Sequence, residues 1–211
     1  MLFESTGLYG KSKVRKLNPD TGDVLASVDM DTRYFGEGMT YIDGQDKLVQ
    51  ITWKEKKGFV YNASTLQTMT EFDYRTHTTE GWGITFITES QQLVVSDGSM
   101  FLHFWDLQNL REIRRIKVQR KDSSFVEKIN ELEYVSGWIF ANIWYEDIII
   151  KVDPVTGLVE QDYNFSSLWP RGQRTASANC FNGISASDNN GELYVTGKKW
   201  PQIYRIKVFG V

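Results

Sequence analysis

A short motif occurs four times along the chain, and its spacing restricts the fold more than any other feature of the sequence. Each copy places one polar residue among glycine, aromatic or aliphatic neighbours, and these polar residues are Glu37, Glu80, Asn130 and Asn182. Successive copies are 43, 50 and 52 residues apart. Repeats of this length, each built of short strands, are typical of the blades of a β-propeller.

Strand-like runs follow each motif in the same order. Second strands are predicted at 47–53, 92–96, 138–144 and 192–196, and third strands at 59–62, 101–105, 148–152 and 202–206. Three units have an outer fourth strand, predicted at 68–74, 112–118 and 158–164. Turn residues separate the first two strands of each unit, at Asp43-Gly44, Glu89-Ser90, Ser136-Gly137 and Asn190-Gly191.

The first thirty residues fit the end of a further blade. They contain predicted strands at 13–17 and 24–28, joined by the turn 18–22, but no inner strand. We therefore expect one all-β domain over 1–211, a five-bladed β-propeller whose first blade is incomplete at the N-terminus. Two explanations for the missing inner strand stay open: either upstream sequence is absent, or the last segment fills the gap differently. An irregular β-sandwich with similar hairpins is the alternative.

Composition supports strands and excludes several classes of protein. Seven Trp, ten Tyr and twelve Phe, with 17 Gly, favour strands and turns over helices. A net charge of −3 argues against a nucleic-acid partner. The chain has no apolar run of about 18 residues, so we expect no membrane partner. The single cysteine, Cys180, excludes an intrachain disulfide and a zinc site built on cysteines.

In a propeller, residues at one phase of the repeat converge near the axis. The four motif residues would therefore gather two carboxylates and two carboxamides there. Trp53 and Trp144 occupy matching second-strand positions, and with Trp82 they would form an apolar cup typical of a small-ligand pocket. The alternative is structural: the polar groups bond to loops and water, and the aromatics pack between blades, as we expect for Trp105 and Trp138.

Other catalytic patterns are not found in the sequence. The two histidines, His77 and His103, do not recur at the repeat phase, which argues against a histidine metal cluster. No G-x-S-x-G elbow supports a serine triad, and no glycine loop for phosphate precedes a helix. The basic run 111–121 is predicted to be a solvated outer face.

The ordered motifs resemble the plant and bacterial type of glutaminyl-peptide cyclotransferase, from Glu4 to about Tyr204. The matching runs are ESTGLYG at 4–10, FGEG at 35–38, TWK at 52–54, EGWGIT at 80–85, SDGS at 96–99, NELEY at 130–134, ANIW at 141–144, NGI at 182–184 and TGKKWP at 196–201. The resemblance implies a five-bladed propeller of the acyltransferase class that converts an N-terminal glutamine to pyroglutamate and releases ammonia. Its partners would be peptides or proteins with an N-terminal glutamine.

The resemblance also implies roles for individual residues. Glu37 would be the general acid and base, and Asn130 and Lys198 would complete the catalytic group. The implied substrate-binding residues are Trp53, Trp82, Trp144, Glu4, Glu80 and Asn182. No metal or cofactor is required in this scheme, although a structural divalent ion in the central channel is left open.

Two further readings of the function remain alternatives: a propeller that binds peptides without catalysis, and a metal-dependent hydrolase similar to a lactonase. The compartment and oligomeric state are not determined by the sequence. The resemblance and two N-x-S sequons, at Asn62 and Asn164, favour a secretory, extracellular or vacuolar location, although no signal peptide is visible at Met1.

Overall fold

The computed structural model describes residues 1–187 and 191–208, and these residues form five antiparallel sheets. Asn190, in the fourth predicted turn, lies outside the described residues. The first three sheets are β1-β2-β3, β4-β5-β6-β7 and β8-β9-β10-β11. Their strands are β1 Leu2–Thr6, β2 Lys13–Leu17, β3 Val24–Asp29, β4 Gly36–Ile42, β5 Lys47–Thr52, β6 Lys57–Asn62, β7 Thr68–Asp73, β8 Ile84–Ile87, β9 Gln92–Ser96, β10 Phe101–Asp106 and β11 Glu112–Lys117.

The last two sheets have the orders β12-β13-β14-β15 and β16-β17-β18. Their strands are β12 Ile129–Val135, β13 Trp138–Ile143, β14 Ile148–Val152, β15 Val159–Asn164, β16 Phe181–Ala186, β17 Glu192–Gly197 and β18 Tyr204–Lys207. A one-turn 3-10 helix, Arg171–Gln173, is the only helical element among the described residues. No helix in those residues is long and apolar enough to cross a membrane.

The chain divides into two compact units. The first contains Met1–Asp97 and Leu102–Arg115, and the second contains Gly98–Phe101 and Ile116–Val211. The first unit holds the first three sheets apart from the ends of β10 and β11, and the second holds the last two. The expectation of a single domain over 1–211 stays a prediction.

Burial follows the position of a strand within its sheet. In the second sheet, β5 (KLVQIT) is buried from its second residue onward, whereas the outer strand β7 (TMTEFD) is largely exposed. Apolar side chains dominate the buried strand, and polar residues predominate in the exposed one. Trp105 is 1% exposed and packs against Phe72 and Tyr74, which confirms its predicted packing role.

Two turns that the sequence predicts from a shared Asn/Asp-Pro…Gly pattern have the same structure. The side chain of Asp153 accepts hydrogen bonds from the backbone N–H groups of Val155 and Thr156, at 2.7 and 3.0 Å. Gly157 then adopts φ +75°, a conformation that favours glycine. Asn18 and Gly22 repeat the arrangement, so the same local hydrogen bonds and a turn glycine form both bends.

Candidate active site

Three of the four repeated motif residues lie in irregularities of the first strand of a sheet. The pairing register shifts between Gly36 and Met39, between Ile129 and Leu132, and between Phe181 and Ile184. Each shift contains one motif residue, namely Glu37, Asn130 and Asn182. Because a β-bulge bends the strand and re-aims a side chain, these residues leave the regular alternation of the sheet.

Glu80 does not share that position, contrary to the predicted phase. Glu80 precedes β8, whose first paired residue is Ile84. The residue two positions before Ile84 is Trp82, not Glu80. Trp82 therefore corresponds to Glu37, which lies two positions before Met39. The motif pattern was misleading because Glu37 and Glu80 are each followed by a glycine. The residue that matches Glu37 is Trp82, since each of these two residues lies between two glycines.

The backbone at Glu37 is held from both sides. Its carbonyl oxygen accepts a hydrogen bond from the Ser5 hydroxyl, which in turn accepts one from Gln50 Nε2 at 2.6 Å. The Tyr61 hydroxyl donates to Gln50 Oε1 at 2.8 Å, and burial raises the pKa of Tyr61 far above its usual range, so this donor keeps its proton. The half-buried Glu37 is thus presented by a buried, hydrogen-bonded support.

Close backbone packing also constrains this region. The Gly38 N–H donates to the carbonyl oxygen of Trp82 at 2.8 Å. A Cβ atom at Gly38 would lie 2.6 Å from the Ile84 nitrogen and 2.7 Å from the Gly83 Cα, which is closer than side chains allow. Glycine at 38 therefore lets β4 approach the start of β8, and so brings the backbone beside Glu37 close to that of Trp82.

A single carboxylate binds two indoles in the same unit. Glu80 Oε2 accepts hydrogen bonds from Trp53 Nε1 at 2.7 Å and from Trp82 Nε1 at 2.9 Å. Lys54 lies 3.7 Å from Glu80 Oε1, and its ammonium is 3.8 Å from the centre of the Trp53 ring. Three predicted site residues, Trp53, Glu80 and Trp82, are therefore in direct contact.

Sequence reasoning did not identify a second carboxylate beside this group. Glu55 accepts hydrogen bonds from the Tyr9 hydroxyl at 2.7 Å and from the Phe35 N–H at 3.4 Å. The Phe35 ring lies 5.2 Å from the Tyr9 ring and 5.5 Å from the Trp53 ring. Tyr9 and Phe35 fall within the motifs ESTGLYG and FGEG, whereas Glu55 belongs to no motif and carried no signal.

The charges of three glutamates act together on this unit. The hydrogen bond to Glu55 raises the pKa of Tyr9 to about 12, with smaller contributions from burial and from the charges of Glu55, Glu37 and Glu80. Burial also raises the pKa of Tyr74, and the same three carboxylates add to that shift. The carboxylates of Glu37, Glu55 and Glu80 therefore all favour the protonated form of the Tyr9 and Tyr74 phenols.

Glu4 forms an ion pair with a basic residue of the neighbouring strand. Its carboxylate contacts Arg15 on the adjacent strand, with Arg15 Nη1 3.1 Å from Glu4 Oε2. The pair bridges β1 and β2, which is a structural arrangement in its own right. The substrate-binding role of Glu4 stays a prediction.

The second unit orders its motif residues through carboxamide contacts. Asn182 Oδ1 accepts the Glu131 N–H at 3.4 Å, and Asn142 Oδ1 accepts the Gly183 N–H at 2.9 Å. These contacts join the bulge in β16 to the strands β12 and β13. Asn130, beside Glu131 in the bulge of β12, is buried, with 6% of its surface exposed.

Lys198 and Trp144 lie at strand ends in the same unit. The backbone of Lys198 pairs with Cys180 and Asn179, at 2.8 Å in each case, which fixes the turn after β17. Trp144 is 37% exposed and packs edge-on against Tyr145, with ring centres 4.6 Å apart. The roles predicted for Asn130, Asn182, Lys198 and Trp144 in the reaction stay predictions.

His103 is buried between two carboxylates in the first unit. Its Nε2 lies 3.2 Å from Asp97 Oδ2, and its Nδ1 lies 2.9 Å from Glu112 Oε2. Among the described residues no group of three or more His, Cys, Asp or Glu side chains is arranged to hold a metal ion.

Comparison with known proteins identifies the family. The family model described as glutamine cyclotransferase matches residues 1–208. The chain belongs to the glutamine cyclotransferase family. The glutaminyl-peptide cyclotransferase of Arabidopsis thaliana is 36% identical over 210 residues, which cover 98% of this chain and 63% of that protein.

A solved structure of this family has the same fold. The crystal structure of the Myxococcus xanthus glutaminyl cyclase superposes with a TM-score of 0.84 at 31% identity, over 96% of this chain and 84% of that one. The predicted fold class is thereby confirmed: the protein is an all-β, five-bladed β-propeller. Its first sheet has three strands, β1 to β3, and β1 was not predicted as a paired strand from the sequence.

Proposed function

We propose that this protein converts the N-terminal glutamine of peptides and proteins to pyroglutamate, with Glu37 as general acid and base. Family membership carries the proposed reaction, because the Arabidopsis relative is named as a glutaminyl-peptide cyclotransferase. The role of Glu37 is the one that the resemblance of the FGEG motif implies. The placement of Glu37 in a bulge beside the Trp82 backbone supports it. The chain spans 63% of the length of its Arabidopsis relative, so the activity named for that protein is a proposal for this chain.

The reaction needs one group that first accepts a proton and then donates it. The α-amine of glutamine attacks its own γ-carbonyl carbon, so a new C–N bond forms and the amine loses a proton to the Glu37 carboxylate. Glu37 returns that proton to the side-chain nitrogen, the original C–N bond breaks, and ammonia leaves. A half-buried carboxylate within hydrogen-bond reach can serve both steps.

The aromatic groups would position the substrate. Cyclisation requires the glutamine side chain to fold back on its own amine, and holding that conformer can supply a large part of the rate. The indoles of Trp53 and Trp82 are held in fixed orientations by Glu80, so they offer rigid apolar walls. Asn130 and Lys198 would stabilise the oxyanion of the tetrahedral intermediate, and Trp144 and Asn182 would bind substrate.

The direct test is ammonia release from a series of peptides. Peptides with N-terminal glutamine should release one ammonia per molecule and lose the corresponding mass, at a rate above the spontaneous reaction. Matched peptides with N-acetylglutamine lack a free nucleophile, and those with N-terminal asparagine would need a strained four-membered ring, so both should be inert. Equal release from all three peptides would contradict the proposal.

The same assay separates the alternatives. Binding of glutamine peptides, followed by tryptophan fluorescence, without any ammonia release would instead indicate a peptide-binding propeller. Loss of activity after treatment with a chelator, with recovery on adding a divalent cation, would contradict the metal-free scheme. We expect activity to survive the chelator, because the proposed steps use only side chains of this chain.

A further inference from the structure

We propose that Glu80 is a positioning residue, which acts on the reaction by fixing the indoles of Trp53 and Trp82, and is not itself a ligand of the substrate. This inference rests on the proposed function and deepens it. The family resemblance places Glu80 among substrate-binding residues. The contacts of its carboxylate assign it a different task.

The first observation is that the two indole N–H groups share one acceptor. An indole has a single hydrogen-bond donor. Trp53 follows the end of β5 and Trp82 precedes β8, yet both donate to Glu80 Oε2, at 2.7 and 2.9 Å. A bond from an N–H to a carboxylate is stronger than one between neutral groups, so this oxygen fixes the rotation of both rings at once.

The second observation is that the other carboxylate oxygen lies within ion-pair distance of a lysine. Glu80 Oε1 lies 3.7 Å from the Lys54 ammonium, which covers the Trp53 ring at 3.8 Å. The cation therefore touches both the carboxylate and one of the indoles that the carboxylate binds. With 26% of its side chain exposed, Glu80 is enclosed by these three partners more than by solvent.

The backbone of Glu80 is held independently of its side chain. The Thr76 hydroxyl donates to the Glu80 carbonyl oxygen at 2.5 Å, and the N–H of Gly81 donates to the Trp53 carbonyl oxygen at 2.9 Å. A Cβ atom at Gly81 would lie 2.2 Å from the Tyr74 hydroxyl oxygen, so glycine is needed there. The carboxylate is consequently aimed by its main chain before any substrate arrives.

Glu37 differs from Glu80 in this respect, which separates their roles. The bulge at Glu37 anchors its main chain through the Ser5 hydroxyl, whereas the N–H groups of both indoles donate to the side chain of Glu80. Glu80 is committed to two donors through a single oxygen. We therefore expect substitutions of Glu80 to disturb the geometry of binding, whereas substitutions of Glu37 remove the proton-transfer group.

The test compares Glu80→Gln, Glu80→Leu and the exposed control Glu71→Leu by NMR and kinetics. The indole Nε1–H signals of Trp53 and Trp82 are assigned from Trp53→Phe and Trp82→Phe. Glu80→Leu should move both signals upfield and raise KM for a glutamine peptide by about tenfold or more, with a smaller change in kcat. Glu80→Gln keeps an acceptor oxygen, so it should retain most of the wild-type indole chemical shifts and a KM close to that of the wild type.

Two results would overturn the inference. Indole signals that stay in place in a folded Glu80→Leu protein would show that Glu80 does not hold the rings. A Glu80→Gln protein with both signals in place but as inactive as Glu37→Gln would show that the Glu80 charge serves the proton chemistry. A wild-type protein without activity would contradict the proposed function. The NMR signals do not depend on turnover, so they would still test the contact between Glu80 and the two indoles.

Discussion

Glu37, Glu55 and Glu80 have the same side chain, and the structure distinguishes them by their partners. Glu80 binds two indoles, Glu55 binds a phenol and a backbone N–H, and Glu37 is held through its own carbonyl oxygen. The sequence identified Glu37 and Glu80 because they lie in motifs. It could not identify Glu55, since the contact between residues 9 and 55 depends on the folded arrangement of two sheets.

Tyr9 provides a pH-dependent test of its contact with Glu55. Its pKa of about 12 lies above the usual value of about 10, so the folded state favours the protonated phenol. The stabilisation from this group should be fully present below pH about 10 and be lost as the pH rises towards 12. The measurement is the ultraviolet absorbance of tyrosinate as the pH is raised, taken as the difference between the wild-type protein and Tyr9→Phe.

The Glu55→Gln variant is the matched comparison for Tyr9. Removing the charge should move the Tyr9 transition back towards pH 10, because the hydrogen bond to the Glu55 carboxylate is the largest cause of the shift. Circular dichroism at each pH verifies that the fold persists. A Tyr9 transition near pH 10 in the wild-type protein would contradict the described contact.

His103 should contribute to stability and not to catalysis. In His103→Leu the buried Asp97 would lose its imidazole contact and keep the hydrogen bond from the Thr78 N–H, and losing one partner of a buried charge is costly. We expect the free energy of unfolding to fall by about 1–3 kcal/mol in urea denaturation. Replacing Asp97 by asparagine in the same chain should recover part of that loss.

The control for His103 is the other histidine. His77 is exposed, so His77→Gln should change the free energy of unfolding by less than about 0.5 kcal/mol. Equal effects of the two substitutions would show that the carboxylates around His103 do not stabilise the fold.

Strands were predicted more accurately than the irregularities within them. The predicted bounds of β9 (Gln92–Ser96) and β14 (Ile148–Val152) match the structure, because continuous apolar runs end at clear turns. β6 begins at Lys57 and not at residue 59, since Lys57 and Gly58 extend the strand by pairing with Asp73 and Phe72. The bulges carry Glu37, Asn130 and Asn182, yet a bulge adds one unpaired residue that no hydrophobic period reveals.

Gly38 tests whether the packing of β4 against β8 matters. In Gly38→Ala the new methyl group would overlap the backbone at Ile84 and Gly83, so one strand must shift. We expect the free energy of unfolding to fall by about 1–3 kcal/mol and ammonia release to decrease, because Glu37 is the adjacent residue. Thermal unfolding and the peptide assay measure the two effects.

Gly172→Ala is the matched control for that substitution. Gly172 lies in the 3-10 helix, and a Cβ atom there would meet nothing within 4 Å. This variant should retain the stability and activity of the wild-type protein. If Gly38→Ala behaved in the same way, the close approach of the two strands would not constrain the site.

At the scale of the whole molecule, repetition made the fold predictable. Motifs at intervals of 43 to 52 residues indicated successive blades, and five antiparallel sheets were found. The family was predictable because many ordered motifs cover most of the chain, and the match over residues 1–208 confirms it. The sequence could not predict which partners within the protein are bound by individual polar groups such as the Glu80 carboxylate.

Proton transfer by Glu37 during cyclisation is the central claim. The most direct measurement is kcat/KM for ammonia release from a glutamine peptide in wild type and in Glu37→Gln, with the exposed Glu71→Gln as control. We predict a decrease of about 10²–10⁴-fold in Glu37→Gln, with the fold intact, and no change in the control. Wild-type turnover by Glu37→Gln would contradict the claim.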